Sequence, residues 1–133
     1  MGSVKSLQVG EALPTVQLAP VSRLDLIKYA GASGDFNPIH TIDEEAAKAG
    51  LPGIIAHGMW SMGNLAKLFT GFYEEGFVKD YSVRFKNMVQ LGDQLTLKAV
   101  LTEVQDHDVY FKVNAENQHG KTVLSGKLIF SLY

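Results

Sequence analysis

Cysteine is absent from this 133-residue chain, so it has no disulfide framework, no thiolate nucleophile and no cysteine-built zinc site. A reducing, cytoplasmic setting is the expectation that follows. Long apolar runs are also missing: nothing approaches the roughly 18 residues of a membrane span, so no membrane association is expected. The N-terminus, MGSVKS, lacks the apolar core of a secretory signal. It does match the myristoylation pattern M-G-x-x-x-S/T, which is short enough to arise from a start-site glycine alone. Nor is there an excess of charge of one sign. Twelve basic and 14 acidic residues give a net charge of -2, leaving no electrostatic case for binding nucleic acid. The nearest basic cluster, Arg84 with Lys86, alternates with Tyr81, Val83 and Phe85 and reads as the solvated face of a strand. What remains is an apolar content of 46%, enough for one folded domain over residues 1–133 with a core of its own.

The stretch with the most chemistry is Tyr29–His40, YAGASGDFNPIH. A carboxylate, an amide, a proline and an imidazole follow Gly34 within six residues, Asp35 to His40, which is dense polar chemistry for a linker. Pro38 fixes its own φ and pushes Asn37 out of the helical region, so the chain must turn near Asp35. Asn37 suits that turn because its side chain can bond nearby backbone groups. Such a turn brings Asp35 and His40 towards each other as an acid/base pair able to share a water near neutral pH. The plainer reading, Asp35 as a cap and His40 as a surface histidine, fits either residue alone better than it fits the combination.

Along the chain, Thr15 to Leu18 reads as a short first strand. Ser22 and Asp25 form a capping pair for a helix from about Arg23 to Gly31, with Leu24, Ile27 and Ala30 at threefold spacing. A second helix is expected from Asp43 to Ala49, capped by Thr41 or Asp43 and stopped by Gly50. From Gly58 to Phe72 the apolar residues wrap most of the way round, which predicts a buried helix. After Phe77 the period becomes two: Tyr81–Lys86, Leu95–Thr102, Val109–Glu116 and Thr122–Leu132 read as antiparallel neighbours in a meander. The fold class is therefore α+β, an antiparallel curved sheet wrapped around a central buried helix, with sheet edges that a second copy could cover.

A buried helix starting at Gly58 offers unpaired backbone N–H groups and the positive end of its dipole. Facing the Asp35 turn, it would complete a site for proton chemistry beside a carbonyl. Gly-Asp-x-Asn-Pro-x-His at 34–40, with Ala56-His57-Gly58-Met59 after it, resembles the signature of the MaoC-like, (R)-specific enoyl-CoA hydratase family and its hotdog fold. The likeness runs from about Val9 to the C-terminus. It implies reversible hydration of trans-2-enoyl thioesters to (R)-3-hydroxyacyl thioesters in fatty-acid metabolism. Asp35 and His40 match the catalytic pair, Asn37 and Pro38 the turn that holds it, and Gly58 the backbone donor to the thioester oxygen. No metal and no cofactor are implied, the substrate is an acyl-CoA or acyl-carrier-protein thioester, and the partner is a second copy in a homodimer or an inactive chain in a heterodimer. One departure is that a serine some members carry two turns into the central helix corresponds to Ala66 here, Ser61 being at a different position. His57 reads as a structural hydrogen-bonding residue. Met59, Trp60, Met62 and Phe69 read as core or interface, and His107 and His119 carry no assigned role. The alternatives are a hotdog thioesterase, whose water attacks the carbonyl, and a non-catalytic acyl-binding subunit. Short or medium acyl chains are expected from the chain's small size.

Overall fold

The computed structural model describes residues 2–133; Met1, where the myristoylation pattern begins, lies outside them. Five strands form one antiparallel sheet: β1 (Val16–Gln17), β2 (Gly76–Phe85), β3 (Thr96–Gln105), β4 (Asp108–Glu116) and β5 (Thr122–Leu132). Three α-helices precede most of it: α1 (Arg23–Ser33), α2 (Asp43–Lys48) and α3 (Gly58–Leu65). Strict alternation builds the concave face. Val109, Phe111, Val113 and Ala115 of β4 are all buried while the residues between them are not, as the twofold period requires. The central helix packs on this face, where Phe69 meets Phe111 edge-on with ring centroids 4.9 Å apart and Phe72 meets Phe130 at 6.3 Å. Tyr81 of β2 donates its buried hydroxyl to the Met62 carbonyl and ties sheet to helix. Among the described residues no helix is long and apolar enough to cross a membrane.

Strand order corrects the expected meander. The sheet runs β1-β3-β4-β5-β2, so β2 pairs with β5 and not with β3. The residues between β2 and β3 do not make a hairpin turn. They cross the open end of the sheet, where Ala56 donates its N–H to the Val89 carbonyl at 2.8 Å and Ile55 bridges to Gln90. That crossover brings Phe85 to Val89 next to the start of α3.

The helices differ from expectation in instructive ways. Ser22 and Asp25 form the predicted capping box, each side chain accepting the other's N–H at 3.1 Å. The helix passes through Gly31 and ends at Gly34, which takes the left-handed conformation at φ 76°. Its buried side is Leu26 and Ala30, whereas Leu24 and Ile27 stay about half exposed. The expected cap of α2 is absent: Ile42 occupies the N-cap, because the Asp43 carboxylate is held by Arg23 at 3.0 Å and the Thr41 carbonyl by the same guanidinium at 2.8 Å. The long helix divides into α3 and a 3-10 segment, Ala66–Phe72. Leu65, Leu68, Phe69 and Phe72 are buried as predicted, but Met59 is 56% exposed and the first turn has an outer face.

Candidate active site

Gly34 ends α1 and releases the chain into a turn made from local side-chain bonds. Ser33 Oγ accepts the Asp35 N–H at 3.1 Å, Asp35 Oδ1 accepts the Asn37 N–H at 3.2 Å, and Asn37 Oδ1 accepts the Ile39 N–H at 3.3 Å. Pro38 then opens a single 3-10 turn, Pro38–His40, with a fixed φ and no N–H to leave unpaired. The result folds the chain back. Asp35 Oδ2 stands 3.9 Å from His40 Nε2, with the carboxylate half exposed and the imidazole buried.

The ring of His40 is oriented by its other nitrogen. Nδ1 lies 2.7 Å from the Ile55 carbonyl, which can only accept, so Nδ1 carries the proton and Nε2 presents its lone pair towards Asp35. His57 lies against this ring, stacked at a centroid distance of 3.8 Å and a tilt of 25°, with Tyr29 edge-on to its other neighbourhood at 4.8 Å. The Nε2–H of His57 donates to the Asp35 carbonyl at 3.1 Å, which pins the turn to the start of α3. Burial lowers the pKa of His57, the hydrogen bond to Asp35 opposes that, and repulsion from His40 when it is protonated lowers it further.

Gly58 opens α3 directly after His57. The side chain of His57 makes no capping bond, and the first intrahelical donors are the N–H groups of Trp60 and Ser61. The N–H groups of the first helical residues therefore have no partner within the helix. The Phe85 ring explains why this position is glycine: a Cβ on Gly58 would sit 3.0 to 3.3 Å from three of its carbons. A cavity of about 290 Å³ opens here, lined by His40, Ile55, Gly58, Ser61, Phe85 and Val89 among others. Thus the fold brings together His40, Gly58 and, across the 3.9 Å gap, Asp35, with Asn37 and Pro38 beneath them as the turn.

Three residues offer ligand-type atoms within 4.8 Å of one another, Asp35, His40 and His57. Imidazole lone pairs lie in the ring planes, and two rings stacked at 3.8 Å and 25° have nearly parallel planes that do not meet at a nearby ion. The parts suit proton transfer instead.

Two contributors were not read from the sequence. Phe85 reaches the site only through the β2 crossover, which no local signal reports. Ser61 lies three residues after Gly58, hence on the same face of α3, and that spacing could have drawn attention to it.

Comparison with known proteins gives the family. A family model described as MaoC like domain matches residues 5–123. The chain belongs to the MaoC-like dehydratase family. Its fold is the hotdog fold of that family. The R-hydratase PhaJ1 from Pseudomonas aeruginosa superposes with a TM-score of 0.87 at 28% identity, over 96% of this chain and 83% of that one. Fatty acid synthase subunit beta of Aspergillus oryzae is 38% identical over 78 residues, which are 56% of this chain and 4% of that protein. The mitochondrial 3-hydroxyacyl-acyl-carrier-protein dehydratase of Arabidopsis thaliana is 29% identical over 89 residues, 67% of this MaoC-like chain and 52% of the plant protein. The chain therefore spans a small fraction of the synthase subunit and about half of the plant enzyme.

Proposed function

We propose that this MaoC-like chain adds water to trans-2-enoyl thioesters, giving (R)-3-hydroxyacyl thioesters, and catalyses the reverse dehydration. The observation that carries the reading is the His40 Nε2 lone pair, fixed by the Ile55 carbonyl and facing the Asp35 carboxylate at 3.9 Å, with His40 itself lining the cavity that also holds the start of α3. That separation is too long for a direct hydrogen bond and is one that a water oxygen spans. In the hydration direction His40 takes a proton from the water as its oxygen bonds to C3. Electron density moves through the enoyl system to the thioester oxygen, which the Gly58 N–H stabilises, and the proton held by His40 then passes to C2 as the carbonyl re-forms, which restores the free base. Asp35 orients the water and assists the proton transfers. The likeness to an R-hydratase supports the (R) configuration of the product. A cavity of about 290 Å³, at the lower end of the ~300–1,000 Å³ typical of ligand sites, supports a short acyl group in a single chain.

The test is loss of enoyl-thioester absorbance on adding purified protein to crotonyl-CoA, with the configuration of the product determined. Hydration to the (R)-3-hydroxy product is expected, and Asp35→Asn or His40→Ala should lower turnover by at least about 10² with folding intact. Near-normal turnover in either folded variant would remove the pair from the mechanism. Release of free coenzyme A thiol would favour a thioesterase instead. Activity that appears only with a second, different chain would make this one a subunit of a heterodimer.

A further inference from the structure

Only two buried side-chain polar atoms among the described residues lack a hydrogen-bond partner, His57 Nδ1 and Ser61 Oγ, and both belong to the beginning of α3. Buried polar atoms are almost always paired, so an orphan hydroxyl beside a cavity calls for a cause. Ser61 is 2% exposed and lines the same cavity as His40 and Gly58. The ordinary outlet for a helical serine is the carbonyl four residues back. Here that carbonyl, of His57, already accepts the N–H groups of Trp60 at 3.1 Å and Ser61 at 3.4 Å, and the hydroxyl makes no bond to it. Nor do the two orphans satisfy each other, since neither has a partner.

Geometry supplies the cause. Positions three apart on a helix share a face with side chains about 5–6 Å apart, so the Ser61 hydroxyl and the open N–H groups at Gly58 border the same small volume. A carbonyl oxygen has two lone pairs, and a backbone donor occupies one. We propose that Ser61 is a second oxyanion donor, its hydroxyl sharing the thioester oxygen with the Gly58 N–H. This deepens the hydratase reading and rests on it. In this chain Ala66 stands further along the helix with no hydroxyl, and Ser61 supplies one from the first turn, nearer the reacting carbonyl. No protein group competes for this hydroxyl, so it is available to an incoming oxygen without breaking an existing bond within the protein.

The experiment compares wild type, Ser61→Ala and Ser61→Thr in two ways. Steady-state hydration of crotonyl-CoA should show kcat reduced by about 10² in Ser61→Ala, with a smaller change in KM and an unchanged melting temperature. Ser61→Thr, which keeps a hydroxyl, should recover part of the loss. In the Asp35→Asn background, where turnover is slowed, the carbonyl stretch of bound carbonyl-13C crotonyl-CoA, recorded within the first turnover, should move towards the free-ligand frequency when Ser61→Ala is added. An unchanged frequency together with a slowed rate would mean that Ser61 acts only through packing or through His57, and would overturn the proposal, as would an unchanged kcat. The spectroscopic measurement needs binding and not turnover. Failure of the wild type to hydrate the substrate therefore counts against the hydratase reading, while the frequency still decides the role of Ser61.

Discussion

At the scale of single residues, His57 does more than its position beside a helix start suggests. It holds the Asp35 carbonyl with one nitrogen and stacks its ring on His40, so the two halves of the proposed acid/base pair both rest on it. Burial lowers its pKa below the ordinary 6.5, which means the unfolded chain binds that proton more readily than the folded one. Stability from this group is therefore complete above the unfolded value and is lost as pH falls from about 6.5 through the lower folded pKa. Glu75 and Asp108 are also held below their ordinary values, Glu75 by the Ser3 hydroxyl and Asp108 by the Lys79 ammonium. Their contributions are lost only below 4.5 and 3.8, clear of the histidine window. A melting temperature that falls between about pH 7 and about pH 5 in wild type, with a flatter slope in His57→Gln, is the expected result; equal slopes would place the pH dependence elsewhere. Asp35, Asn37, Pro38 and His40 were legible in sequence because their geometry is set within six residues by turn chemistry. His57 was legible only as a hydrogen-bonding residue, since its stacking partner comes from a different turn.

At the scale of elements, what could be read depended on whether a signal was local. The period-two runs located β2 to β5, and the capping box located the start of α1, because both are written in neighbouring residues. Strand order is not. The run between Phe85 and Leu95 looks like a turn in sequence, yet it crosses the sheet end, and only the β2–β5 pairing forces that path. The join depends on Gly126, opposite Val83. A Cβ there would lie 2.7 Å from the Val83 Cα and overlap the Ser82 carbonyl, backbone atoms that cannot rotate away. Gly63 in α3 is the contrasting case, with open space around the same added atom. Gly126→Ala should destabilise by roughly 1–3 kcal/mol and Gly63→Ala should stabilise by roughly 0.4–1 kcal/mol, both read from denaturant midpoints. Similar midpoints for the two variants would show that the β2–β5 spacing is not the constraint. Because β2 ends at Phe85, the ring against Gly58, loosening this pair should also reach the site.

At the scale of the whole molecule, the two sheet edges are unequal. The β1 edge is only two residues long, whereas β2 offers ten residues whose second side has no strand beside it. Long open edges invite pairing, and this one carries no proline to discourage it, its charges being Lys79, Asp80 and Arg84. Around it, Phe77 is 47% exposed and Phe85 55%, and Met59 and Met88 near the site are similarly open. One isologous contact, β2 against β2 of a second copy, would cover this edge and set the exposed start of α3 against the partner. The expected outcome is a species of twice the 14.5 kDa chain mass by gel filtration coupled to light scattering. Amide exchange across Gly76–Phe85 should then be slow at high protein concentration and faster on dilution. If the walls of the acyl pocket are completed by the partner, specific activity should decline over the same dilution range. A monomer whose activity is independent of concentration would confine the site to one chain. A dimer whose β2 amides exchange rapidly would move the interface to another face.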